Sequence, residues 1–202
     1  MALPLNTTPS YTVTLPSDKS QVKYRPFLVK DQKHLMLAQQ SEDPQVMSDT
    51  LKSVIASCLV DSNVDINKLA TFDMEYLFLH IRGKSVGEEI PLLLKCDEDH
   101  GEDNKKAVIK YSVRVNDIEV KFSDEHVSKF ILFDNVGVQM RYPSFDILDK
   151  LKNNVNDAET MFDIISNCIE FVYDDNEVYY THEQTKEEIN QFLDNLTSEQ
   201  FD

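Results

Sequence analysis

The chain has 202 residues, 41% of them hydrophobic, and a formal net charge of −16. That length suits one large domain or two small ones, and the hydrophobic fraction is enough for a packed core. The charge sits in the second half (residues 1–95 hold 10 basic against 11 acidic side chains, residues 96–202 hold 10 against 25), so long-range electrostatics oppose nucleic acid and anionic lipid as partners.

Tyr11–Leu15 alternates around Val13 and stops at Pro16, Ser17–Ser20 is a turn cluster, and Gln21–Phe27 alternates again, with Pro26 marking a strand end. This predicts a β-hairpin. Val29–Gln40 carries Leu28, Gln32, Leu35, Met36 and Gln39 near helical spacing and predicts a short helix. Asp43-Pro44 is a helix start, because Asp caps free N–H groups and Pro at the first helical position has none to lose. Met47, Leu51, Val54, Ile55, Cys58 and Leu59 then form one apolar face, broken at Asp61–Val64. A third helix is expected from Asp65 to Arg82, ended by Gly83, with Met74–Ile81 apolar nearly all round and hence central.

From Ser85 the period changes. Ile90–Lys95, Ala107–Val115, Ile118–Phe122 and Val136–Tyr142 read as strands, while Phe130–Phe133 suits either a buried strand or a helix segment. Helices return after Pro143: Phe145–Lys152, then a stripe of Met161, Ile164, Ile165, Cys168 and Val172 behind an Asn156/Glu159 capping pair, then Ile189–Leu196 behind a Thr185/Glu188 capping box. Glu177–Tyr180 reads as a short strand. Thr197 and Gln200 form a second capping box two residues before the last residue, which suggests either a frayed tail or a longer natural chain. Hairpin, helices, strands, helices in that order is an α+β fold, divided here as an N-terminal hairpin plus helical unit (1–84), a central antiparallel β region (85–142) and a C-terminal helical region (143–202).

Chemical motifs are sparse. The four glycines are scattered and form no phosphate-binding loop. Cys58, Cys96 and Cys168 are odd in number and far apart, which fits neither a disulfide framework nor a zinc knuckle and agrees with a reducing cytosol. Met1–Asn6 lacks the basic and apolar regions of a secretory signal, and no run of ~18 apolar residues is present, so no bilayer span is expected. The acidic loop 97–103 fails as a calcium loop, since its sixth and twelfth positions are Glu102 and Val108 rather than glycine and glutamate. Cys96 and His100 have no second ligand pair beside them. His80 lies in the apolar third helix and is expected to be a hydrogen-bonded core histidine. No enzyme signature stands out, so no catalytic role, cofactor or metal is expected, although groups distant in sequence can still assemble a site. Two charged patches read first as a solvated face (Lys19, Lys23, Arg25, Lys30 and Lys33) and as a helix-ending turn (Tyr173–Glu177); the alternatives are a contact for an acidic protein partner and a recognition patch for a basic one.

Three strings carry more information than periodicity does. Lys23-Tyr24-Arg25-Pro26-Phe27-Leu28-Val29-Lys30, Phe72-Asp73-Met74-Glu75-Tyr76-Leu77-Phe78-Leu79-His80-Ile81-Arg82-Gly83-Lys84-Ser85-Val86-Gly87-Glu88, and Arg141-Tyr142-Pro143-Ser144 resemble three hallmarks of the baseplate-hub assembly proteins of T-even-like contractile-tailed phages. The resemblance runs from about Tyr11 to the end. It implies a role in building the hub of the tail baseplate, as a retained hub subunit or as an assembly factor, in the host cytoplasm during assembly and in the virion tail if retained. Its implied partners are other hub and tail proteins. A transient chaperone for a tail protein, an unrelated cytosolic adaptor and an enzyme assembled from distant residues are the rivals. Family members usually run past the Leu-Thr-Ser-Glu-Gln-Phe string at Leu196–Phe201, which agrees with the longer-chain reading of the second capping box. Candidate partner contacts within the strings are Arg25, Phe27, Lys30, Asp73, Glu75, Arg82, Lys84, Glu88, Arg141 and Tyr142. Core packing explains Asp73, Glu75, Arg82, Lys84 and Glu88 less easily; they read first as local helix pairs and ordinary caps, and the alternative is that some of them form a buried ion-pair network or contact hub partners.

Overall fold

The computed structural model describes residues 7–60, 64–95, 108–147 and 158–201. Contacts divide the chain into two units, Met1–Ile66 with Phe72–Lys121, and Asn67–Thr71 with Phe122–Asp202. The fold is α+β, opening on a hairpin and closing on helices.

In the first unit, β1 (Tyr11–Thr14) and β2 (Gln21–Tyr24) form the expected antiparallel hairpin, with Val13 opposite Val22 and Tyr11 opposite Tyr24. Alternation buries Val13, Val22 and Tyr24 and leaves Thr12 and Lys23 outside. Burial pushes the Tyr24 phenol up to about 12. Helix α1 (Val29–Ser41) buries Asp31 and Ala38, with Met36 on the solvent side, so its inner stripe is not the one expected around Met36. Helix α2 (Pro44–Cys58) starts as expected: Asp43 accepts a hydrogen bond from Gln45 N at 2.8 Å. Such a cap contributes about 1 kcal/mol. Val54, Ile55 and Cys58 are its buried face. Its end returns to the hairpin, where Arg25 N donates to Cys58 O (2.8 Å) and Val60 N to Lys23 O (2.9 Å).

Helix α3 (Thr71–Val86) begins six residues later than expected and runs through Gly83. The start is set by backbone already committed elsewhere: Ala70 bridges to Ser144, and Thr71 donates from both N and Oγ1 to Pro143 O. Gly83 lies mid-helix against Val115, where a Cβ would stand 3.4 Å away, an ordinary van der Waals contact, so the glycine does not end the helix. The left-handed stop falls instead on Gly87, at φ +130°. Met74, Leu77 and Ile81 are fully buried. Each such burial contributes about 1.5–3 kcal/mol, several times any propensity difference between ordinary residues, so packing rather than propensity holds α3.

β3 (Glu89–Lys95) and β4 (Val108–Arg114) form a separate two-stranded antiparallel sheet. The strand expected at Ile118–Phe122 does not form. After the turn Val115–Asp117 the partner strand has run out, since β3 begins at Glu89 opposite Arg114 and the residues before it end α3.

The second unit is built on a four-stranded antiparallel sheet, order β5 (Lys129–Phe133), β6 (Val136–Met140), β7 (Ile169–Tyr173), β8 (Val178–Tyr180). Phe130–Phe133 is therefore strand. Helix α4 (Ala158–Cys168) ends before Val172, which lies in β7 opposite Val138. Ile169–Tyr173 is β-branched and aromatic with a neighbour on each side, and pairing overrides the continued helical period. Tyr173–Glu177 is consequently a turn between strands rather than a helix end, with Asp174 Oδ1 accepting from Asn176 N and Glu177 N. Thr185 and Glu188 cap α5 (Lys186–Asp194) reciprocally, and Thr197 and Gln200 do the same for α6 (Ser198–Phe201). Residues 145–147 are helical; the rest of the helix expected to Lys152, Asn156 of the capping pair, the break at Asp61–Asn63 and Met1–Asn6 lie outside the described residues.

Candidate functional site

Arg25 follows β2 directly and turns inward. Its guanidinium donates to Asp31 Oδ2 and Pro26 O, each at 2.8 Å, and reaches Ser57 Oγ at 3.4 Å. The two charged side chains are only 16% and 3% exposed. Asp31 accepts also from Leu28 N (2.9 Å), closing the start of α1, and from the Ser57 hydroxyl at 2.9 Å. Burial by itself raises the Asp31 carboxyl, but the hydrogen bonds from Leu28, Arg25 and Ser57 outweigh it and hold the group below its usual value. Arg25 is thus a structural clamp joining β2, α1 and α2. Sequence reasoning missed Asp31 and Ser57, although an acid three residues inside a helix start was a readable capping signal. Phe27 packs its ring on Phe78 at 5.9 Å and donates its N–H to Ser85 Oγ at 2.8 Å. Lys30 is exposed on α1.

The five charged candidates around α3 do not form one buried network. Asp73 is 1% exposed and receives Ser17 N (3.1 Å) and the Ser17 hydroxyl. Burial raises its carboxyl above the usual value, and the Ser17 bonds oppose that. Asp73 therefore anchors the hairpin turn through neutral donors rather than through a cation. Arg82 donates to Gly87 O (3.1 Å) and Glu89 O (3.3 Å), closing the helix end. Lys84 pairs with Glu88 one turn on, at the surface, and lies over the Tyr11 ring at 5.2 Å. The Lys84 ammonium, by hydrogen bond and charge, lowers the Glu88 carboxyl. Glu75 is exposed. His80 is not the hydrogen-bonded histidine expected: its buried Nε2 has no partner, its ring contacts Tyr76 at 4.5 Å, and burial lowers its pKa.

In the second unit Arg141 donates through Nε (3.1 Å) and one terminal nitrogen (2.9 Å) to Asn167 O, capping α4. The Tyr142 hydroxyl lies 2.8 Å from His126 Nε2, with the two rings stacked at 5.6 Å. These groups and Cys168 line a groove of about 360 Å³. Burial pushes the Cys168 thiol up, and Cys58 likewise, which disfavours a thiolate nucleophile at either. A second groove of about 440 Å³, between β5 and the C-terminal helices, is walled by Phe130, Ile165, Phe192 and Phe201 and carries one carboxylate, Glu199. Among the described residues no three His, Cys, Asp or Glu side chains come together as a metal site; loop 97–103, Cys96 and His100 lie outside them. No described helix is long and apolar enough to cross a membrane.

The surface with the least internal purpose is the β3–β4 ribbon. Seven pairs run from Glu89↔Arg114 to Lys95↔Val108 without a register shift. Directly opposed residues share a face. Ile90/Val113, Leu92/Tyr111 and Leu94/Ile109 therefore make one wholly apolar face, and Glu89/Arg114, Pro91/Ser112, Leu93/Lys110 and Lys95/Val108 the other. Leu92, Leu94, Ile109 and Tyr111 are 39%, 49%, 60% and 57% exposed. The two strands were readable in the sequence; that Leu92, Leu94, Ile109 and Tyr111 stay exposed was not.

No curated protein and no solved structure matches the chain. The family model of the T4 bacteriophage base plate protein matches residues 8–202, and the chain belongs to that family.

Proposed function

We infer that this base-plate protein works by protein–protein contact in building the hub at the centre of the tail base plate, without a catalytic step. What supports the reading is the apolar face of the β3–β4 ribbon, large side chains held in solvent on a sheet too small to be stable alone. The ten string residues serve this role unequally. Arg25, Asp73, Arg82 and Arg141 spend their polar groups on the chain's own backbone and side chains. Lys30, Glu75 and the Lys84–Glu88 pair remain toward solvent.

Mass spectrometry of washed virions and of lysate from infected host cells tests this. Fixed copy number in washed tails identifies a hub subunit. Presence only in lysate, bound to other base-plate proteins, identifies an assembly factor. Association with neither would end the hub reading.

A further inference from the structure

The two outer edges of the β3–β4 ribbon are not equivalent. Antiparallel ladders alternate hydrogen-bonded pairs with pairs whose N–H and C=O groups point outward. Val115 N donates to Glu88 O at 2.8 Å, which fixes the phase: Glu89/Arg114, Pro91/Ser112, Leu93/Lys110 and Lys95/Val108 are the outward-pointing steps. On the β3 side Pro91 has no N–H to offer and Glu89 O already accepts from Arg82. That edge is closed at two of its four steps. On the β4 side Val108, Lys110, Ser112 and Arg114 all present N–H and C=O groups outward, and among the described residues the sheet holds no third strand.

Charge selects the occupant. β4 carries Lys110 and Arg114 and no acid, in a chain of net charge −16. Arg114 has a local partner in Asp117 at 2.8 Å, which leaves Lys110 as the cation at the middle of the edge. A second copy's β4 would bring no carboxylate to it. We propose that the outer edge of β4 takes up, by strand addition, an extended segment of another base-plate protein that alternates apolar side chains beside Ile109, Tyr111 and Val113 with acidic side chains beside Lys110. Backbone hydrogen bonds supply the attachment and the alternation supplies the register. The added strand widens the apolar face into a three-stranded surface of the kind that packs stably. The proposal rests on the base-plate reading above and names the surface and partner chemistry it needs.

The test uses the full chain, free and in base-plate complexes isolated from infected cells, with amide hydrogen exchange read along β4. Wild-type β4 amides are expected to slow at least about tenfold on assembly. Ser112→Pro removes one outward donor without touching the β3 ladder, and Lys110→Glu reverses the central charge; each is expected to fold with an unchanged circular dichroism spectrum and to be incorporated about tenfold less. Lys121→Glu, an exposed reversal outside the ribbon, is the control and should be incorporated normally. If the chain is present in the complexes but its β4 amides exchange as fast as in the free chain, or if Lys110→Glu is incorporated like wild type, strand addition is overturned and the base-plate role stands. A free chain that is already dimeric with β4 protected makes a second copy the occupant and also overturns it. A wild-type chain absent from every base-plate complex overturns both readings.

Discussion

Removing the Asp31 carboxylate tests whether the Arg25 clamp holds the first unit together. In Asp31→Ala the Arg25 guanidinium keeps Pro26 O and the longer Ser57 contact, but it becomes a largely buried charge without a counter-ion. Leu28 N and the Ser57 hydroxyl lose the same acceptor. Breaking one side of a fully buried pair costs about 3–5 kcal/mol. Arg25 retains some solvent contact, so the lower end applies, about 3 kcal/mol, or roughly 6–12 °C in melting temperature for a chain of this size. Arg25→Met leaves Asp31 with two donors and should cost less, about 2 kcal/mol. The double variant Arg25→Met, Asp31→Leu should recover part of the loss, because an apolar replacement leaves no orphaned charge. The chain has no tryptophan, so urea unfolding is followed by far-ultraviolet circular dichroism and tyrosine fluorescence. A loss below about 1 kcal/mol for Asp31→Ala, or strict additivity of the two changes, would refute the clamp.

Asp31 and Asp73 should give opposite pH signatures. The Asp31 carboxyl is held low, so its contribution is present above the ordinary carboxylate value and is lost as pH falls through its folded value; the Asp73 carboxyl is held high, so the folded state keeps its proton longer and stability falls as pH rises from the ordinary value through the raised one. Asp73→Asn should therefore gain on the wild type as pH rises through that window, measured as the difference in unfolding free energy, and a pH-independent difference would contradict the assignment. Gly137→Ala should destabilise the second unit by about 1–3 kcal/mol, because the new methyl would clash with the Tyr173 hydroxyl and Phe130 O; thermal melts read this, and an unchanged midpoint would show the β5–β6–β7 packing to be looser than described. Thr185→Ala removes the cap that accepts from Glu188 N and should cost about 1 kcal/mol, seen as faster amide exchange in the first turn of α5, whereas Thr185→Ser should restore protection.

Local chemistry was legible wherever one residue's own backbone demand decided the outcome. Asp43-Pro44, the Thr185/Glu188 box and the hairpin around Ser17–Ser20 each satisfy or remove donors within a few residues, so spacing alone located them. The three strings were equally legible, and the family they resemble is the one the chain belongs to. Element ends failed where a distant partner set them: Thr71 is placed by Pro143 O, and Val172 by Val138. Of the candidate site residues, Arg25 and Asp73 were picked out by the strings they lie in, but their partners lie 6 and 56 residues away, and only the fold shows that both groups are spent internally. The β3–β4 ribbon shows the same division. Alternation along each strand determined which side chains share a face. Whether that face is core or surface depends on what else the chain brings to it, and exposure is a property of the whole packed molecule rather than of any local run of residues.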